Sequence, residues 1–327
     1  MKVQVSKLRI WHLPSLIRAY VLHKGSCEDV VLFGRSSAST FVAAARAISG
    51  FAPESQVFAA WVGDDLIGLA LAEFAPQRRR ANVLGLIVVP FDQRSENEMD
   101  GIAVGTSLLE HVAVDAAERG YVSIFLRVPR MSRFLEPFVR SGFVSAVSQD
   151  EYVRQLGPIA NPEPIQGLRF IEKADVWDLA QLYRTVTPPA LQFAEDTDGY
   201  GLFTPRTFLR IGLARQRPNQ YVVVGDPGLD GWLCVKPDDH GRNTILMMIH
   251  PRHSSLTPRL LNFAMWILRG CTPLPTRVIV HSHEDILRRS VEAEGFDRTG
   301  THELLVKHLA VRIEEPMPAQ MLDRATS

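Results

Sequence analysis

The sequence predicts an α/β protein built from two copies of one unit. Apolar runs typical of strands alternate with segments of helical period along nearly the whole chain. Residues 157–167 contain three prolines and two glycines, which is typical of a linker, and they divide the chain into two parts of similar length. Three positions of the first part have counterparts in the second, in the same order and separated along the chain by nearly the same number of residues. The pairs are Leu8 and Leu168, Gly105 and Thr257, and Gly142 and Gly295.

Composition limits the class of protein. The 327 residues are 46% apolar and 22% charged, with zero formal net charge and a pI of about 7.2. These values predict a two-domain globular protein and give no sign of nucleic acid or a membrane as a partner. Cys27, Cys234 and Cys271 form neither a metal-binding pattern nor a disulfide framework. No signal peptide and no apolar run of ~18 residues is present, so we expect a cytoplasmic protein.

The first part opens with short strands and helices. Strands are predicted at Val5–Ile10, Val57–Val62 and Leu66–Phe74, and helices at Pro14–His23 and from Ser37 or Ser39 to Ile48. Either serine can cap the second helix, and Gly50 suits the left-handed residue that ends one. The Gly63-Asp64-Asp65 segment is a turn composition, so it predicts a hairpin between the last two strands.

The stretch Leu84–Glu118 combines a strand, a polar loop and a helix. LGLIVVP is a continuous apolar run ended by proline, and apolar residues with a helical period follow the loop. The small residues Gly101, Ala103 and Gly105 lie where this helix begins. A helix start has unpaired N–H groups and the positive end of the dipole, and small side chains let an anion approach them. The pattern predicts a phosphate site around Ala103–Thr106.

Three further elements complete the first part. Val122–Val128 is predicted to be a strand, Ser132–Ser141 a helix ended by Gly142, and Glu151–Leu156 a last strand that completes the unit. The second part repeats this order. Its predicted strands are Leu168–Phe170, Gln220–Val224, Trp232–Val235, Ile245–Ile249 and Arg277–Val280, and its predicted helices are Trp177–Tyr183, Thr204–Arg215, Thr257–Arg269 and Glu284–Glu294.

The stretch around Pro90 resembles the signature of the GNAT superfamily of acyl-CoA-dependent N-acyltransferases. In that family a strand ends in V-x-P, and R/Q-x-x-G-x-G/A then leads into a helix. Here the strand end is Val88-Val89-Pro90 and the signature falls on Asp100–Gly105. Ala103 replaces the usual glycine, Asp100 replaces the usual Arg or Gln, and the loop is about six residues longer than usual.

The resemblance implies an α/β (α+β mixed sheet) fold with two tandem GNAT-like domains, in which two central strands part beside the main helix. The implied division is 1–157 for the first domain, 158–167 for the linker, 168–313 for a degenerate second domain and 314–327 for a tail. The second copy lacks the phosphate cradle, because His250–Pro258 contains no glycine and its proline has no N–H.

The resemblance also implies acetyl-CoA, or another acyl-CoA, as co-substrate and no metal. The residues implied to bind it are Val88 and Val89, through the pantetheine amides, and Ala103, Val104, Gly105 and Thr106, through the pyrophosphate. The family's proton-donating tyrosine is replaced by Phe138, which has no proton to give. Glu73 is the candidate general base, because an acid interrupts the apolar run Leu69–Phe74.

Two functions follow, and the sequence leaves both open. The first is an N-acyltransferase that moves an acetyl group from acetyl-CoA to a primary amine of a small molecule or peptide; a homodimer is compatible with it. The second is a catalytically inactive tandem GNAT-like protein for ligand binding or assembly. Gly105 with Thr106 and the V-x-P strand end favour the enzyme, whereas Asp100 and Phe138 favour the inactive protein.

Overall fold

A computed structural model gives the structure of the protein. It describes residues 3–23, 28–32, 37–75, 79–88, 101–155, 157, 161–189, 191–192, 219–237, 242–271 and 274–310. For residues 23, 28–32 and 37–39 it describes the backbone alone.

The helices and strands of the first part follow the predicted order, with one addition. They are β1 Gln4–Lys7, α1 Leu13–His23, β2 Glu28–Leu32, α2 Ser37–Ile48, β3 Ser55–Val62, β4 Asp65–Ala75, β5 Arg80–Val88, α3 Gly101–Glu118, β6 Ser123–Pro129, α4 Leu135–Arg140 and β7 Val144–Arg154. Strand β2 was not predicted.

The second part repeats the sequence of elements. They are β8 Leu168–Phe170, α5 Val176–Val186, β9 Asn219–Gly225, β10 Gly228–Lys236, β11 Asn243–Ile249, α6 Leu256–Arg269, β12 Thr276–His281, α7 Asp285–Ala293 and β13 Asp297–His308. The predicted helix Thr204–Arg215 lies outside the described residues. The predicted boundaries at the linker stay a prediction, because part of 158–167 also lies outside them.

Two predicted elements have different bounds. The helix predicted at Ser132–Ser141 begins only at Leu135, because its first residues form a turn in which the N–H of Leu135 donates to the Ser132 carbonyl at 3.2 Å. The strand predicted at Glu151–Leu156 is β7, which starts seven residues earlier, at Val144.

The internal repeat is visible in how two equivalent helices end. Gly142 and Gly295 follow α4 and α7 with φ of 91° and 73°, a left-handed conformation that glycine adopts without strain. The next residue in each copy is a buried phenylalanine, Phe143 or Phe296. Its N–H donates to a carbonyl five residues back, at 3.2 and 3.0 Å respectively. The repeat predicted from Gly142 and Gly295 is therefore a structural repeat.

All described strands join one mixed sheet. Its order is β1-β3-β4-β5-β6-β13-β7-β12-β11-β10-β9-β8, with β2 paired to β5 beside this path. The pairs β5–β6 and β11–β12 are parallel, and the other pairs are antiparallel. The mixed α/β fold predicted from the sequence is confirmed.

The two copies exchange their last strands. Strand β7 ends the first copy but pairs with β12 of the second, from Thr276 opposite Arg154 to His281 opposite Gln149. Strand β13 ends the second copy but pairs with β6 of the first, and β7 and β13 also pair with each other. The prediction that the last strand of the first part completes its own unit is therefore wrong. It failed because strand partners are set by long-range packing, which local sequence pattern does not record.

The hydrophobic cores follow the same exchange. Leu305 of β13 is fully buried in the core between the first part of the sheet and α3 and α4. Tyr152 of β7 is 1% exposed in the core beneath α6 and α7 of the second copy. Its hydroxyl donates to Glu292 Oε1 of α7 at 2.7 Å. Each core is thus completed by a side chain from the other copy.

Buried charges cross between the copies at the exchanged strands. Asp150 of β7 accepts from Arg298 of β13 at 2.6 Å and lies 3.6 Å from Arg288 of α7. Glu151 of β7 lies 2.5 Å from Nη1 of Arg242, which precedes β11. The carboxylates are buried, but Arg298 is 53% exposed and Arg242 is 38% exposed, so solvent screens both pairs. The charges therefore support the pairing of the exchanged strands.

We predict that residues 1–157 alone will not show a cooperative thermal transition, because β6 loses β13 along seven residue pairs and the first core loses Leu305. Fusing residues 297–310 to that fragment through a flexible linker should restore the transition, which circular dichroism can follow. A scrambled 297–310 segment is the matched control. A monomeric 1–157 fragment melting as sharply as the full chain would contradict the interdependence.

Candidate functional site

The central parallel strands of each copy part after three residue pairs. Strands β5 and β6 pair from Arg80 opposite Ser123 to Asn82 opposite Phe125. Strands β11 and β12 pair from Asn243 opposite Thr276 as far as Ile245 and Val278. We call the gap beyond Asn82 the first cleft and the gap beyond Ile245 the second cleft. The parting predicted for the two central strands is present in both copies.

A bulge accompanies the first cleft. On its β4 side, β5 pairs Val83 with Ala72 and Gly85 with Leu71, so Leu84 has no opposite residue. A bulge of this kind bends a strand and increases its twist. Gly85 follows this bulge and packs against α2. A Cβ on Gly85 would lie 2.5 Å from Cγ2 of Thr40, a buried residue of that helix. The helix therefore closes over the strand where the cleft begins.

Strand β2 lies in the first cleft. It pairs antiparallel with β5, from Glu28 opposite Val88 to Leu32 opposite Gly85, and it also contacts β6. The same residues of β5 pair on their other side with β4. The edge of β5 predicted to meet pantetheine, at Val88, therefore pairs with the protein's own backbone in this structure. Val89 lies outside the described residues.

Helix α3 begins at the open end of the first cleft. A Cβ on Gly101, its first residue, would lie 3.2 Å from Cγ1 of Val88 and 3.3 Å from Nη2 of Arg133. Gly101 is the first residue of α3 within the described part of the chain, so the N-terminal end of the described helix lies beside Val88 and Arg133. Arg133 follows β6 and is exposed. A cation and a helix start thus share one place, which suits an anion.

The four residues predicted to bind the pyrophosphate differ in their exposure. Ala103 is exposed on the first turn of α3, whereas Val104 and Gly105 are buried and Thr106 is half-buried. A Cβ on Gly105 would lie 3.3 Å from Cε1 of Phe134 and 3.8 Å from Cδ2 of Leu86. The Phe134 ring packs over Gly105 and leaves little room for a larger side chain there.

Val104 has a matching role in packing. Its Cγ1 lies 2.8 Å from where a Cβ on Gly68 of β4 would be, so helix and strand approach closely. Gly105 and Thr106 lie one turn along the described helix, where N–H groups donate to carbonyls of the preceding turn. A cofactor contact by these residues stays a prediction.

Glu73 lies at the opposite end of the first cleft. It is half-buried on β4, opposite Ser55 of β3 and Asn82 of β5. Asn82 is six residues before Val88, or roughly 20 Å along a strand. Glu73 and the start of α3 are therefore not brought together. Its predicted role as a general base concerns the acyl end of a cofactor, which is remote from its phosphates, and stays a prediction.

Phe138 is a core residue. It is 0% exposed, and its ring centroid lies 5.8 Å from that of Phe134 and 6.4 Å from that of Phe143. The position that carries a proton donor in the resemblance is therefore filled by packing in this chain.

The second cleft is built differently. The turn before α6 uses its own N–H groups: His253 donates to the His250 carbonyl at 2.8 Å and Thr257 to Ser254 at 3.1 Å. Pro258 has no N–H. These local bonds use N–H groups that a phosphate would need, and the loss of a second cradle stays a prediction.

A histidine–glutamate pair stands at the end of β12. Nδ1 of His281 lies 2.8 Å from Oε2 of Glu284, and the backbone N–H of His281 donates to the same oxygen at 2.7 Å. Burial alone would raise the pKa of Glu284, but the hydrogen bonds from His281 outweigh it and the pKa is lowered. The carboxylate is thus held ionised in the turn that leads into α7. Within the described ranges, no group of three or more His, Cys, Asp or Glu could hold a metal.

Comparison with known proteins identifies the fold. No family model matches the sequence, and no curated protein matches it. A GCN5-related N-acetyltransferase (GNAT) from Sphaerobacter thermophilus superposes with a TM-score of 0.57 at 13% identity, over 96% of this chain and 98% of that one. A tandem GNAT protein from the clavulanic acid biosynthesis pathway superposes with a TM-score of 0.53 at 12% identity, over 95% and 100%.

The chain therefore has the fold of the GNAT N-acetyltransferases, in tandem, as the resemblance implied. At these identities the likeness defines the fold, so the chemistry must be argued from the residues of this chain. No helix in the described part of the chain is long and apolar enough to span a membrane.

We predict that two glutamate substitutions on α3 differ strongly in their effect on stability. Gly105→Glu should destabilise the protein by about 3 kcal/mol, because the new side chain meets Phe134 and its charge is buried. Ala103→Glu should leave stability within about 0.5 kcal/mol, because its position is exposed and an acid suits a helix start. Denaturant unfolding measures both. Equal stability of the two variants would show that Gly105 is not a packing residue.

Glu284→Gln should destabilise the protein by about 1 kcal/mol at neutral pH, because the ionised acceptor of His281 is lost. A carboxyl whose folded pKa is depressed stabilises the fold above its unfolded pKa of 4.5, and this stability is lost as pH falls through the folded value. The difference from wild type should therefore shrink below pH 4.5 in unfolding titrations. If the stability difference between the variant and wild type stayed constant as the pH fell below 4.5, the ionised His281–Glu284 pair would not be its cause.

Proposed function

We propose that the protein is an acyl-CoA-dependent N-acyltransferase that transfers an acetyl group from acetyl-CoA to a primary amine of a small molecule or peptide. The observation that carries the proposal is the meeting of three features at the open end of the first cleft. These are the last residue of β5, Val88; the first residue of α3, Gly101; and the guanidinium of Arg133. Acyl-CoA has an extended chain of amides followed by phosphates, which matches a strand edge followed by a helix start and a guanidinium.

Each feature has a distinct part in binding. The edge of β5 from Gly85 to Val88 offers backbone groups to the pantetheine amides, as a neighbouring strand would. The N-terminal end of α3 offers N–H donors to the pyrophosphate, and Arg133 adds charge. Ala103 leaves the phosphates room, because its side chain is short and exposed. The packed Gly105 holds α3 in position.

The proposed reaction is direct transfer. The amine nitrogen attacks the thioester carbonyl carbon, the C–N bond forms, and the C–S bond breaks as the nitrogen loses a proton and the thiolate gains one. Phe138 cannot supply that proton. The contribution of this chain is therefore positioning and polarisation of the carbonyl by backbone N–H groups, with Glu73 as the candidate base.

A second candidate function is favoured by β2. A strand that pairs with the β5 edge takes the backbone groups that pantetheine would use. A protein in which this pairing is permanent would have the fold without the first-copy activity, and would serve in ligand binding or assembly. The two functions differ in one measurable property, which is whether acyl-CoA binds at the start of α3.

Acetyl-CoA should raise the melting temperature of the full chain, since a ligand at a hundredfold excess over its dissociation constant adds about 2.7 kcal/mol of stability. Ala103→Glu should abolish the rise by repulsion of the phosphates, whereas the uncharged, nearly isosteric control Ala103→Gln should retain most of it. No rise at millimolar acetyl-CoA in the wild type would contradict the enzyme. An equal rise in both variants would place the cofactor elsewhere.

A further inference from the structure

We infer that β2 is a built-in occupant of the acyl-CoA site, which the cofactor must displace in order to bind the first copy. The inference rests on the proposed function and adds its regulation. Glu28–Leu32 runs along the β5 edge from Val88 back to Gly85, where the pantetheine arm of the proposed site would lie. One backbone cannot serve a strand and a ligand on the same edge at once, so the two are mutually exclusive.

The sheet does not depend on β2. On the opposite edge, β4 pairs with β5 from Arg80 to Val88 with one bulge, at Leu84. Strand β2 has five residues, pairs with β5 alone, and is interrupted by an irregularity between Asp29 and Val31. Its departure would leave every other pairing of the sheet in place. A short strand held by one ladder belongs to the least stable local units of a fold.

Strand β2 presents amides and acidic groups in the same order as acyl-CoA would present its amides and phosphates. Its first two residues are the acids Glu28 and Asp29, in register with Val88 and Ile87. Val88 is also the residue that lies against the start of α3, beside Arg133. The strand therefore brings backbone amides along β5 and acidic residues to the register positions nearest the helix start. Acyl-CoA would bring pantetheine amides and then phosphates to the same places.

Competition of this kind predicts that weakening β2 tightens binding. Val31→Pro removes a backbone N–H in register with Leu86 and disfavours a strand, while Val31→Ala retains the N–H and is the matched control. Replacement of residues 28–32 by Gly-Ser-Gly-Ser-Gly is a second, independent disruption. Calorimetric titration of each full-length variant with acetyl-CoA should give at least tenfold tighter binding for Val31→Pro and the replacement, and wild-type affinity for Val31→Ala.

Hydrogen exchange tests the same point without a substitution. In the wild-type protein, saturating acetyl-CoA should reduce protection of the amides of residues 28–32 while those of residues 85–88 stay protected. Unchanged affinity in the variants, with β2 still protected when acetyl-CoA is bound, would overturn the inference and leave the proposed function intact. Absence of acetyl-CoA binding in the wild type and in every variant, including the replacement, would overturn both the inference and the proposed function.

Discussion

The reciprocal exchange of β7 and β13 is the constraint on which the rest of the structure depends. The two strands lie next to each other at the centre of the sheet, and each completes the sheet and the core of the opposite copy. Asp150 is buried there and accepts from Arg298 across the exchange. Each copy therefore takes a strand and part of its core from the other.

The clefts are secondary consequences of packing on that sheet. Strands β5 and β6 can part because each is held on its outer side, by β4 and by β13. Close approach at Gly68 and at Gly105 then seats α3 against the parted strands. Gly101, the first described residue of α3, is thereby held beside Val88 by small residues elsewhere on the helix and the sheet.

Much of the fold could be predicted from the sequence because its signals are local. The helix-ending Gly142 and Gly295 and the apolar runs of β5 and β11 mark the same unit twice. The partners of β7 and β13 could not be predicted, because strand pairing is a long-range choice. Gly105 suits both a phosphate and an aromatic ring, and the sequence cannot tell them apart. Arg133 was missed, although a basic residue just after a strand beside the cleft was a usable signal.

The exchange also limits how such a chain can change. After a duplication, a copy that folds alone can be lost or replaced once its chemistry decays. Here the turn before α6 has its N–H groups in local bonds and no glycine, yet the second copy still supplies β13 and Leu305 to the first. Selection on the strand register of that copy is therefore independent of any chemistry that the copy performs, because the first copy needs its last strand.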